Sequence, residues 1–300
     1  MTKMKQALRR YGVAAIVAAI VGAMAGLWAT GTWVTNTPRP TAVLTPATVC
    51  GASSLSGPSV APAGAVVVPA GDNSAITETY NKSANTVYWF APGIHTLGTG
   101  EYSQIQADAG DTFIGAPGAI ISGQYENNYA FVEDVPGVTI EYLTIEHFTP
   151  PGNQGAVNNS DASGWTIEND TIENNAPGTG VYLGSNDVLT GNCITENGQA
   201  GFGAYTVNDA SSLTGGPSNV TVTGNEISYN DTCNWEDVSP DPVPSDQIQS
   251  PCAALSLSGG CGCADGGKFW RVDGATVTGN YVHNNYYVGL WADTNDVGFD

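Results

Sequence analysis

Only eight of the 300 residues are Lys or Arg, against 28 Asp and Glu, which leaves a formal charge of −20. So small a supply of cations excludes nucleic-acid binding, which rests on neutralising phosphates. Charged residues of both signs make up only 12% of the chain. That is too few for long exposed helices or coiled coils, whose surfaces are built from Glu, Lys and Arg. The six cysteines contain no Cys-x-x-Cys spacing, which argues against a zinc site. Hydrophobic residues, at 41%, are enough for a packed core and exclude wholesale disorder.

The bases are crowded at the start, as Lys3, Lys5, Arg9, Arg10 and Arg39. Beyond them come only Lys82, Lys268 and Arg271, so residues 40–300 carry three bases against 28 acids, a net −25. Such a body repels polyanions unless a cation such as Ca²⁺ bridges them. The basic start is followed by an uncharged, mainly apolar run from Tyr11 to Trp28. Residues 1–29 therefore read as a signal peptide or an N-terminal membrane anchor. Either one places the rest outside the cell, secreted or held at the surface. Residues 30–62, rich in Thr, Pro and Ser, read as a linker. In that compartment Cys50, Cys193, Cys233, Cys252, Cys261 and Cys263 are expected to form disulfides, with the pairing left open.

The body repeats. EYLTIEHF at 141–148, ENDTIENN at 168–175, TGNCITEN at 190–197, TGNEISYN at 223–230 and TGNYVHNN at 278–285 are copies of one block. Each has Ile or Val at its fifth position, and four end in Asn: Asn175, Asn197, Asn230 and Asn285. A short β-rich triplet precedes each block, and a third apolar segment follows it, as in Gly180-Val-Tyr-Leu and Gly289-Leu-Trp-Ala. The spacing predicts coils of about 22 residues with three short strands each, stacked into parallel sheets over a continuous core. Asn at the repeated corner tolerates the left-handed conformation and can bond to the coils above and below.

With Val87-Tyr-Trp-Phe-Ala-Pro-Gly-Ile-His95 and Thr112-Phe-Ile-Gly-Ala-Pro-Gly-Ala-Ile-Ile-Ser-Gly123, the chain resembles the right-handed parallel β-helix proteins of the pectate-lyase-like superfamily. The resemblance covers about residues 60–300. It implies an all-β fold, a right-handed single-stranded parallel β-helix over 63–300, with a cysteine-containing insertion at about 231–271. It also implies carbohydrate on the outer face of a sheet, and a Ca²⁺-assisted Arg or Lys base if the protein is a lyase. A hydrolase of this kind would instead need clustered Asp residues. The Asn-Thr-Asp and Gly-His-Gly motifs of polygalacturonase-like members are missing.

Alternation along the third strand turns Val181, Leu183, Phe202, Ala204, Leu255, Leu257, Leu290 and Ala292 inward. Tyr182, Tyr205, Ser256, Trp291 and Asp293 then face outward. Tyr182, Tyr205 and Trp291 are candidate sugar-stacking residues, or else are packed beneath the insertion, with Trp235, Glu236 and Asp237 from the insertion walling the same face. The insertion is expected as two lobes, 231–251 and 259–271, around a strand at 254–257. Candidate catalytic residues are the carboxylates Asp293 and Asp296, the cations Lys268 and Arg271, and His283. Asp293-Thr-Asn-Asp-Val-Gly298 imitates the start of a calcium loop but lacks an oxygen ligand at Val297, so Ca²⁺ stays an open possibility. Val297 to Asp300 opens a further coil, as expected of a chain truncated at its C-terminus. The functional expectation is an exported protein that binds extracellular polysaccharide and degrades or modifies it as lyase, hydrolase or epimerase. The alternative is a non-catalytic carbohydrate-binding or adhesion module.

Overall fold

The computed structural model describes residues 48–77, 83–158, 163–205, 215–233 and 265–300. The N-terminal basic and apolar segments, Lys82, Trp235, Glu236, Asp237, Cys252, Cys261, Cys263 and the segment 254–257 lie outside the described residues. Among the described residues no helix is long and apolar enough to cross a membrane.

The described chain is a three-sided solenoid of short strands. Sheet A has nine strands, from Val66–Val68 to Val297–Phe299, sheet B eight, from Gly71–Asp72 to Tyr281–His283, and sheet C seven, from Ile105–Gln106 to Val288–Ala292. Every pairing is parallel, and equivalent residues of successive coils sit in register. The Thr-Ile-Glu triplets show why. Ile140, Ile145, Ile167 and Ile172 point inward and are fully buried, while the flanking Thr and Glu stay partly exposed. A one-residue slip would turn every Ile outward, so burial fixes the register. The core continues through Phe90, Phe113, Phe131, Trp165, Phe202 and Phe269.

The corners carry the polar repeat. At the corner between sheets B and C, Asn175, Asn197, Asn230 and Asn285 form a buried ladder. The amides of Asn175, Asn197 and Asn230 each donate to the next Asn Oδ1 at 3.0 Å, and all four donate to a backbone carbonyl of the coil before. A second ladder at the corner between sheets A and B runs through Asp170, Asn192, Asn225 and Asn280. The residue before each ladder position is left-handed, for example Asn169, Asn174, Glu196, Tyr229 and Asn284. Asn accepts that conformation cheaply, whereas most other side chains lose about 1–2 kcal/mol.

Two expectations change. Residues 48–62, read as linker, are tied to the solenoid. Cys50 is disulfide-bonded to Cys193, and Glu226 accepts the Val49 and Cys50 N–H groups at 2.7 and 2.9 Å. Further along, Pro58 accepts the Trp89 indole N–H, and a side chain at Gly57 would collide with Gly115 and Tyr142. The segment therefore runs back along the solenoid as a strap before the first coil begins. Second, the third strand of the inserted coil is Asp265–Phe269, which pairs with Ala200–Ala204 and with Val288–Ala292. In that slot Phe269 supplies the buried apolar contact and Gly267 makes room for the Phe202 ring, while the strand expected at 254–257 lies outside the described residues. Lys268 thus sits on a strand rather than in a loop lobe.

Candidate functional site on sheet C

Register places Tyr182, Gly203, Lys268 and Trp291 in one outward column of sheet C. Gly203 is the gap in that column, and the Tyr205 ring lies over it. Tyr182 and Tyr205 pack ring to ring at 4.8 Å and are only 1% and 6% exposed. This corrects the expectation that they form an open sugar platform: they are a buried pair, and burial pushes the Tyr205 hydroxyl well above the ordinary tyrosine range. Trp291 stays half-buried, and Lys268 Nζ sits 4.0 Å from its ring centre.

Lys268 Nζ also lies 3.1 Å from Asp293 Oδ2. Bonds from Lys268 and from the Thr294 N–H outweigh partial burial, so Asp293 titrates below the usual carboxylate range. Asp265, three residues before Lys268 on the same strand, is fully buried, and neither of its oxygens has a hydrogen-bond partner among the described residues. Burial, opposed by Lys268 and reinforced by Asp293, pushes its carboxyl up to about 7. Below neutrality Asp265 therefore keeps its proton while Asp293 is an anion, and Asp265 gives that proton up through about pH 7. That division is what acid–base chemistry requires.

The remaining predicted residues fall elsewhere. Ala292, expected inward, is exposed. Asp296 Oδ1 accepts the Val272 N–H at 2.8 Å, as Asp187 accepts Trp165 N–H at 2.7 Å and Asp111 accepts Thr86 N–H at 2.9 Å. It is one of a series of turn-fastening carboxyls, and burial raises its pKa. Arg271 is buried with its guanidinium 3.9 Å from the Trp270 ring centre. His283 belongs to sheet B, where its Nε2 lies 3.1 Å from Glu226 Oε1. The structure thus joins Lys268, Trp291 and Asp293, adds Asp265, and leaves His283 on another face. Among the described residues no group of three or more His, Cys, Asp or Glu is arranged to hold a metal ion.

Parallel strands in three sheets, stacked coil upon coil around one core, define a β-solenoid. A family model described as a right handed beta helix region matches residues 118–298, more than half of the chain, and the chain belongs to that family. No curated protein and no solved structure matches it.

Proposed function

We propose that this β-helix protein is exported and hydrolyses extracellular polysaccharide on the outer face of sheet C. The observation that carries the reading is the Asp265–Lys268–Asp293 cluster beside Trp291. In this reading Asp265 donates a proton to the leaving oxygen while Asp293, as base, takes a proton from the water that attacks the anomeric carbon, and Trp291 stacks on a sugar face. β-Elimination fits less well, because it needs cations around a substrate carboxylate. Here Lys268 is bonded to Asp293 and Arg271 is buried on Trp270. Export is supported by the basic and apolar N-terminal sequence and by the Cys50–Cys193 disulfide.

The complete burial of Asp265 favours a second reading, a carbohydrate-binding or adhesion module without turnover. Incubating the oxidised full-length chain with neutral and uronate polysaccharides separates the two. Hydrolysis releases new reducing ends without unsaturated sugars, and Asp265→Asn abolishes this while binding persists. Binding without product in the native chain supports the module. Absence of both binding and product sinks both readings.

A further inference from the structure

We propose that the corner between sheets B and C is a separate carbohydrate-binding surface, a ridge along the solenoid axis that takes a neutral linear glycan. It does not rest on the sheet C reading. His147, Asn174, Glu196, Tyr229 and Asn284 each follow the last residue of an in-register sheet B strand, so they form one column. All five are left-handed, with φ between 54° and 59°. Asn174, Asn284 and His147 suit that conformation, while the bulky Tyr229 strains it. The fold makes this corner left-handed in every coil, so an exposed Tyr kept where Asn would be cheaper points to a task other than folding.

Rings gather at both ends of the column. Tyr125, itself left-handed and 40% exposed, packs 4.7 Å from the His147 ring. Tyr229, 42% exposed, lies edge-on to His283 at 5.9 Å, and Tyr281 stacks on His283 at 4.1 Å. Three coil steps separate His147 from Tyr229, roughly 14 Å at the usual spacing of adjacent strands. Between them stand the hydrogen-bonding side chains of Asn174 and Glu196. Planar rings at both ends of a row of polar groups, repeated at a constant step, match a polymer of identical sugar units with apolar C–H faces. Charge selects a neutral chain. Glu146, Glu173 and Glu196 flank the ridge, and the Lys and Arg among the described residues are Lys268, ion-paired on sheet C, and Arg271, buried on Trp270.

The test is binding of the oxidised full-length protein to neutral and uronate oligosaccharides of increasing length, alongside Tyr125→Asn, Tyr229→Asn, their double variant and Trp291→Ala. Asn keeps the left-handed corner, so thermal midpoints should hold or rise while the double variant loses at least tenfold in affinity for neutral chains. Affinity of the native protein should grow with chain length. If the Tyr variants lose binding and Trp291→Ala keeps it, the ridge stands and the sheet C reading fails. Native-like binding by the double variant, preference for uronates, loss of binding through Trp291→Ala alone, or no glycan binding at all overturns the ridge.

Discussion

Asn192 Oδ1 accepts the backbone N–H of Asp170 at 2.8 Å, and Asp170 Oδ1 accepts that of Leu143 at 2.7 Å. The two residues are consecutive rungs of one ladder but have different heads. Asn192 donates its amide to Ile167 O and Asn225 Oδ1. Asp170 has no amide, and its buried Oδ2 has no hydrogen-bond partner among the described residues. Burial, reinforced by Glu141 and Glu168, raises its pKa well above the ordinary range.

Asp170→Asn should therefore stabilise the fold, by roughly 1–3 kcal/mol, the cost of one unsatisfied buried group. The sign follows from linkage: a folded-state pKa raised above the unfolded one makes the native protein lose stability as pH rises from the ordinary carboxylate value. The gain from Asn should thus be larger at neutral pH than in acid. Urea unfolding at both conditions measures it, and a loss of stability at neutral pH refutes the ladder account.

Asn197 is the opposite case, a rung with every bond made. Its amide reaches Ile172 O, Thr195 O and Asn230 Oδ1, and its Oδ1 accepts the Asn175 amide at 3.0 Å. Asn197→Leu fills similar space but orphans these buried partners, and should cost about 3 kcal/mol or more. The same change at the half-buried Asn285, at the far end of this ladder, should cost less. Equal losses at the two positions would show that the ladder does not act as a connected unit.

The strap offers a redox test. The Cys50–Cys193 disulfide spans 143 residues, and closing a loop of that size contributes about 4–5 kcal/mol in the chain-entropy model. The double variant Cys50→Ser, Cys193→Ser should lower stability by up to that amount. It should also speed hydrogen exchange at Val49 and Cys50, whose N–H groups Glu226 holds. If exchange there stays slow, Glu226 alone keeps the strap in place.

The fold was legible because the repeat is written in residues with one physical use each: Ile inward, Asn at the corner, Gly where a side chain would collide. The Asn175–Asn285 ladder could be read from block endings. The ladder through Asn192, Asn225 and Asn280 was equally present in the recurring Thr-Gly-Asn, where Asn169-Asp170 replaces Gly-Asn, but its burial shows only once coils are stacked. The site was half legible. Trp291 and Asp293 followed from strand alternation and Lys268 from the scarcity of cations, but Lys268 read as a loop residue, and only its pairing with Trp291 puts them on one face. Asp265 escaped because a carboxyl next to two glycines in an insertion reads as a solvated turn. Only the pairing with Ala200 and Val288 puts it on the sheet. Alternation alone left Tyr182 and Tyr205 open between platform and packing, because it tells which way a side chain points, not what covers it.

The titration of Asp265 can be measured without knowing any substrate. Burial holds the proton on this carboxyl up to about pH 7, whereas the unfolded chain releases it in the ordinary carboxylate range. Over that window the folded state binds the extra proton, so this group's contribution to stability falls as pH rises and levels off above about 7. The amplitude should be a few kcal/mol, and Asp265→Asn should remove it. Lys268 is the one neighbour that opposes the rise, so Lys268→Met should move the plateau to higher pH and release Asp293 toward the usual carboxylate range. Stability against pH for the three proteins, with carboxyl NMR titration of Asp265 and Asp293, reads both effects. Parallel stability curves for the native chain and Asp265→Asn would mean that Asp265 is charged in the fold, and the proton reservoir on which hydrolysis depends would be gone.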